Sequence, residues 1–327
     1  MKAILIRYRW ETVLVILILL GVVIGSMLSP YFLDFGNFSR SAMTFVPVAL
    51  MTLGLFPVVV TGEIDISLPS TLAVSAVLFA KLSEGGVEMP AALVASALLC
   101  TFLGAVNGVL VAVAGLPSMA VTLGAMGVYR GIAYLIGGDA GVTGISESYL
   151  AFGRGWVWWF PVPVVVFIVM AVLVWLLMSR SNFGSYAYAI GSGAPAVRSA
   201  GISVARTKIG AYVFASLMAW LAGLVWVGEY MSARGDNGDG TIMLVLTGVV
   251  LGGVSIFGGS GKTSGVVLSC CLLLVLQTAM SLANVPGTTQ TLISGAVLLI
   301  AVIVPNAGQL IDHLHRRSPG RSVEHAQ

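Results

Sequence analysis

RSNFGSYAYAIGSGAPAVRSAGISVARTK, residues 180–208, is a long polar break in a chain of 327 residues that otherwise consists of apolar runs. It carries Arg180, Arg198, Arg206 and Lys208 and no acidic residue. Ten apolar stretches surround it, at 12–30, 41–61, 66–82, 90–114, 117–137, 161–179, 208–228, 241–257, 265–283 and 288–305. Each is close to the roughly 20 residues that carry a helix across a bilayer. Backbone groups in lipid must be satisfied within their own segment, so helices are the expected form. The alternating pattern of a membrane β-barrel is absent, and the runs are too long for barrel strands. The expected fold is all-α: a polytopic integral membrane protein of about ten transmembrane helices, forming one domain over 1–327.

Composition agrees. Hydrophobic residues make up 58% of the chain and charged residues 9%, against about 25% charged in soluble domains. The mean hydropathy is +1.01. A net charge of +3 argues against a nucleic-acid role. Cys100, Cys270 and Cys271 all lie inside apolar runs, so they read as small core residues, not a disulfide framework or metal site. The basic head at Lys2, Arg7 and Arg9 before Val13 to Met27 resembles a signal peptide. No small-x-small cleavage site follows, and more apolar runs do, so this stretch reads as a first span.

Lys and Arg set the orientation. With the N-terminus inside, eleven basic residues fall on inside segments: Lys2, Arg7, Arg9, Arg180, Arg198, Arg206, Lys208, Lys262, Arg316, Arg317 and Arg321. Four fall outside: Arg40, Lys81, Arg154 and Arg234. Both termini, the break at 180–208 and the tail at about 306–327 are then cytoplasmic. Trp156, Trp158, Trp159 and Phe160 close the outside loop 138–160, as an interfacial aromatic belt would. Pro47, Pro57 and Pro69 crowd into one hairpin, which is expected to be kinked or broken.

Candidate residues are few. Glu63 and Asp65 sit in a turn between apolar segments, within Gly62 to Ser70. Charges near membrane depth mark a pathway or a pairing; a solvated turn is the equal alternative. Ser67 or Ser70 is placed to cap the next helix. Asn107 suits hydrogen bonding between helices. Arg130 lies inside a helix, where Asp139 or Glu229 on the outer side would be its structural partner and a contact to solute its functional one. Residues 258–263 look like a phosphate-binding loop, but Ile256 stands where that motif needs glycine, so no ATPase site is expected in the chain. His313, His315 and His325 lie in a basic tail without the ligand set of a metal site. Within the break, Pro195 and Gly201 bracket a short segment in the order that starts and stops a helix. A helix of under two turns is not stable alone, so docking into a partner is expected for it.

Together these segments resemble the permease subunit of sugar-importing ABC transporters of the ribose type, over roughly 40–305. The likeness is carried by Gly62-Glu63-Ile64-Asp65-Ile66-Ser67, Asn107-Gly108, and Pro117 through Thr122-Leu123-Gly124 to Arg130-Gly131. It continues with Phe183-Gly184, Ala189-Ile190-Gly191 through Ala196 to Ser199-Ala200-Gly201-Ile202, and Gly252-Gly253 through Gly258-Gly259-Ser260-Gly261. Within the family it is nearest to the second permease of autoinducer-2 importers, with rhamnose permeases a near rival. Glu63 departs from the second glycine the family usually has there.

The resemblance implies a translocating subunit without its own ATPase site or cofactor, since ATP is bound by a partner. The implied partners are cytoplasmic ATP-binding subunits, a second permease of the same or a related chain, and a periplasmic sugar-binding protein, in a bacterial inner membrane. Gly191, Pro195, Ala196, Arg198 and Gly201 would form the coupling helix that meets the ATPase. Glu63, Asp65, Ser67, Asn107, Thr122 and Arg130 are the translocation-pathway candidates. An ion-coupled secondary transporter, with Glu63, Asp65 and Arg130 as its relay, is the alternative. A membrane enzyme is weaker still, because no catalytic cluster converges within the spans.

Overall fold

The computed structural model describes residues 9–316. Within them it holds twelve α-helices, a 3₁₀ turn and one two-stranded hairpin. The helices are α1 (Arg9–Leu28), α2 (Phe35–Val60), α3 (Leu68–Glu84), α4 (Met89–Ala112), α5 (Ser118–Gly137), α6 (Ala151–Arg154) and α7 (Val162–Arg180). They continue with α8 (Asn182–Ser199), α9 (Val204–Tyr230), α10 (Ile242–Leu251), α11 (Thr263–Leu282) and α12 (Gly287–Arg316). Among the described residues, α1, α2, α4, α5, α7, α9 and α11 are each long and apolar enough to cross a membrane.

Two expected spans come out short. The stretch 241–257 is helical only over α10, ten residues or about 15 Å, and continues as a glycine-rich loop. The cause is local: Gly253 takes a φ of +79°, and its N–H and that of Val254 turn back onto Val250 and Val249 carbonyls, a helix stop. The same stop ends α2 at Gly62, φ +82°, with Gly62 and Glu63 bonding back to Val59 and Val58. α3 is 17 residues and almost wholly buried.

The hairpin with three prolines is not broken. Pro47 and Pro57 lie inside a continuous α2, and Pro69 occupies the first turn of α3, where a missing N–H costs nothing.

α2 is the centre of the bundle, 94% buried across its most apolar window, whereas α1, α5 and α7 are 17–22% buried. Their outward faces are the ones left for lipid or another subunit. α9 packs against α2, α3 and α4. Small residues let it close in: a side chain at Gly104 would strike Ser216 and the Tyr212 carbonyl, and one at Gly108 would strike Ile209. Helices in membranes gain from such close approach.

Long-range contacts sort the connections to two ends. At one end Trp10 Nε1 donates to the Leu251 carbonyl, Lys262 pairs with Glu11 at 2.9 Å, and Tyr188 donates to the Gly261 carbonyl. At the other end Val142 pairs with Ala233, and Ser83 Oγ accepts from the Ser146 N–H. There the hairpin 156–161 leaves Trp156, Trp158, Trp159 and Phe160 exposed.

Candidate functional site

The first end holds both sequence motifs, and they meet. The turn after α2 is clamped at Ile64. Its N–H donates to Ser118 Oγ (3.3 Å), and its carbonyl accepts from Thr122 and Tyr212 hydroxyls, each at 3.4 Å. Ser118 and Thr122 come from α5 and Tyr212 from α9, so the turn is fixed to two helices at once.

Below it runs a chain of hydrogen bonds. The Tyr129 hydroxyl donates to Asn107 Oδ1 (2.8 Å), Asn107 Nδ2 donates to Ser67 Oγ (3.0 Å), and Ser67 Oγ donates to Asp65 Oδ1 (2.6 Å). The Ser67 N–H also donates to that oxygen at 2.9 Å. Asp65, Ser67, Asn107 and Thr122 are all fully buried. Asp65 is therefore not the solvated acid of a surface turn. Burial pushes its carboxyl up to about 6, against the Ser67 hydrogen bonds that pull the other way. Ser67 sits at the start of α3, but its side chain caps no helix N–H; its hydroxyl is committed to Asp65. Nor does Ser70 serve as the cap, since its buried hydroxyl has no partner among the described residues.

Glu63 is paired with Lys208, the last residue of the polar break, and both side chains are 16% exposed. The added carboxylate thus answers a cation of the break, which has no acid of its own. Arg130 does not join this group. It lies at the other end, where its guanidinium donates to the carbonyls of Gly235 (2.7 Å) and Asn237 (2.8 Å) and approaches Asp239 at 3.4 Å. Its acidic neighbour is Asp239, in place of the expected Asp139 or Glu229; Glu229 instead accepts from Thr44 at 3.4 Å.

The break itself is mostly helical. α8 bends at Gly193, which leaves the helical region with φ 174° and ψ 82°. The piece beyond it, Ala194 to Ser199, is the short helix that Pro195 and Gly201 announce. It ends in a full glycine stop: Gly201, φ +79°, donates to the Arg198 carbonyl, and Ile202 donates to the Val197 carbonyl. Val197 packs inward with Ile190 and Val204, and Ile202 lies against them. Pro195, Ala196, Arg198 and Gly201 stay exposed. One apolar residue thus anchors a small surface that faces away from the bundle.

Gly191 ties this piece to the turn. A Cβ there would overlap the Val60 carbonyl oxygen and the Gly259 N–H, and one at Gly258 would lie 2.7–3.0 Å from Gly62 and Gly191. The Gly259 N–H in turn donates to the Val60 carbonyl at 2.9 Å. Three backbones, from α2, α8 and the loop before α11, therefore touch without side chains between them. Lys262, in that loop, is engaged by Glu11, and the element directly before the loop is the helix α10, where a phosphate-binding loop follows a β-strand. Among the described residues no group of His, Cys, Asp and Glu is arranged to hold a metal. The tail arginines Arg317 and Arg321 and the side chains of His313, His315 and His325 lie outside the described residues.

Sequence reasoning did not single out Tyr129, Tyr212, Ser118 or Lys208 as partners of the turn. Tyr129 is seven residues after Thr122, on the same face of α5, and that spacing was the available signal.

Residues 37–302 match the family model described as "Branched-chain amino acid transport system / permease component". Among curated proteins the chain is 33% identical to the Autoinducer 2 import system permease protein LsrD of Enterobacter sp. (strain 638), over 91% of this chain and 93% of the relative. It is 31% identical to the proteins of the same name from Photorhabdus laumondii and Salmonella typhimurium, over 91% of each chain. No solved structure matches. With seven membrane-length helices and a family match across most of its length, the chain belongs to this permease-component family and is a multi-pass membrane protein of a transport system.

Proposed function

We propose that the chain is the translocating subunit of an ATP-driven importer, and that residues 194–201 are where ATP hydrolysis by a partner protein enters it. One observation carries this reading. The exposed helix of Pro195, Ala196 and Arg198 is continuous in backbone with Gly191, which sits directly on the end of α2 and the loop at 258–259. A partner gripping the helix would push on the turn that carries Glu63, Asp65 and Ser67. Downstream, the chain enters α9 and reaches the same turn again through Lys208 and Tyr212. A partner shifts a two-state pore only by contacting the two states differently, and a doubly attached lever supplies such a difference.

The solute in this reading is a small sugar or sugar-like molecule of the autoinducer-2, rhamnose or ribose class; the names of the relatives support autoinducer 2, and rhamnose and ribose rest on the sequence resemblance alone. In this reading α3, α10 and α12 complete ten membrane segments, with both termini and residues 180–208 cytoplasmic in a bacterial inner membrane. The assembly holds cytoplasmic ATP-binding subunits, a second permease and a periplasmic sugar-binding protein, and the chain itself needs no cofactor.

The test is reconstitution of the whole importer in liposomes with labelled sugar. Uptake that requires ATP and the ATP-binding subunit supports the reading. Uptake by the purified chain alone down an ion gradient contradicts it and favours a secondary transporter.

A further inference from the structure

A cavity of about 400 Å³ opens at the end of the bundle opposite the break, between the N-terminal half of α2, the first turns of α10 and α12 and the last turns of α9 and α11. Its size is at the small end of ligand pockets, which run from roughly 300 to 1,000 Å³. Three features of its lining do not belong to ordinary membrane-helix packing.

The first is Gln277, the sole amide on α11. Among the described residues none is hydrogen-bonded to its side chain. A carboxamide without a partner on the wall of a cavity has its donor and acceptor available to fix a ligand.

The second is Thr278, next to it. Its hydroxyl is buried, with the residue 3% exposed, and has no hydrogen-bond partner. Most threonines on the helices here bond the carbonyl four residues back, as Thr52 and Thr247 do; Thr278 does not.

The third is aromatic. Trp226 and Tyr230, one turn apart on α9, stack at 4.6 Å with a 38° tilt and line the same cavity. Aromatic faces with hydroxyl and amide groups beside them suit a molecule that has an apolar C–H face and an equatorial belt of hydroxyls. Charge points the same way. Arg40 is the charged residue of the lining, and Glu229, outside the lining, stands behind Thr44, which donates to it at 3.4 Å, so the cation has an acid near it to offset its charge.

We propose that this cavity is a binding site within the permease for a small, uncharged, polyhydroxylated solute. Gln277 and Thr278 read its hydroxyls, and Trp226 carries its ring face. The proposal rests on the importer reading and adds to it a selective site in the membrane subunit, so that specificity is not left to the binding protein alone. It also places solute recognition at the far end from Asp65, Ser67 and Asn107.

The experiment uses the whole importer in liposomes, with labelled ribose, rhamnose and 2-deoxyribose. Wild-type uptake that ignores ATP removes the importer reading before any variant is made. Given ATP-dependent uptake, Gln277→Leu and Thr278→Val each take away one hydroxyl partner without changing shape much. The expected result is a rise in KM of roughly tenfold, with a smaller difference between ribose and 2-deoxyribose. The melting temperature of each variant in detergent is expected to stay at the wild-type value, which shows that the fold survives changes in this wall. Unchanged KM and unchanged sugar ranking in Gln277→Leu and Thr278→Val overturn the proposal. So does an equal loss for all three sugars with the ranking preserved, because a residue that reads hydroxyls must alter the ranking.

Discussion

Lys208 and Glu63, 145 residues apart in sequence, form an ion pair that joins the end of the polar break to the turn after α2. Both side chains are 16% exposed, so the pair is shielded but not sealed. Two charges at this depth hold only while both are present. Removing one leaves the other poorly solvated, which for fully buried pairs costs about 3–5 kcal/mol. The residual exposure lowers that here.

Lys208→Ala or Glu63→Ala is therefore expected to destabilise the purified chain by about 2 kcal/mol, read as a lower melting temperature in detergent. The double variant Glu63→Leu with Lys208→Met is expected to lie closer to wild type than either single loss. A double variant as unstable as the sum of the two would show that no coupling exists between them.

Gly191 and Gly193 make a matched pair. Gly191→Ala forces a methyl against the Val60 carbonyl and the Gly259 N–H, whereas Gly193 has open space around it and an extended φ that any residue adopts. Overpacking at the first site is expected to cost about 1–3 kcal/mol and to lower ATP-driven uptake. Gly193→Ala is expected to leave the melting temperature within error. Equal behaviour of the two variants in a thermal-shift assay would remove the glycine contact from the account.

The stop at Gly201 is open to the same kind of test. Its φ of +79° penalises a side chain by about 1–2 kcal/mol. Gly201→Val is expected to lower stability by that amount, while Gly201→Asn, whose side chain tolerates this conformation, is expected to lose less. A melting series on the three chains decides it; a valine variant as stable as the asparagine one would count against the stop.

Asp65 gives a pH signature. Its carboxyl is raised from 3.8 to about 6 by burial, so the fold favours the neutral form and keeps it protonated up to about pH 6. That contribution is complete below about pH 4 and is lost as pH rises through about 6, for a total on the order of 3 kcal/mol. Wild-type stability is expected to fall between pH 4 and pH 7 more steeply than that of Asp65→Asn. Unfolding measured across this range checks it, and parallel curves for the two chains would contradict it.

Much of the fold was legible because the membrane imposes long apolar runs: the expected spans and the observed helices agree closely over α1, α4, α5, α7 and α11. The short helix before Gly201 was legible for a different reason, since Pro195 and Gly201 act on local backbone geometry. What escaped depended on packing between distant segments. Nothing near Arg130 in sequence indicates the carbonyls of Gly235 and Asn237. Nothing in the turn shows that Asp65 is buried while Glu63, two residues away, is paired with Lys208. The early end of α10 escaped because Gly252 and Gly253 follow an apolar run and are themselves compatible with a helix. Gln277 lies within the last turns of an apolar stretch and went unremarked, although a lone amide there was a visible signal.

In the proposed function, the exposed helix around Arg198 receives an ATP-hydrolysing partner. The direct measurement is co-purification of that partner with the chain from membranes, comparing wild type with Arg198→Glu, whose side chain is exposed and bears no part of the fold. Arg198→Glu is expected to reach the membrane in wild-type amount and to melt at the wild-type temperature but to lose the partner. Wild-type recovery of the partner would contradict it.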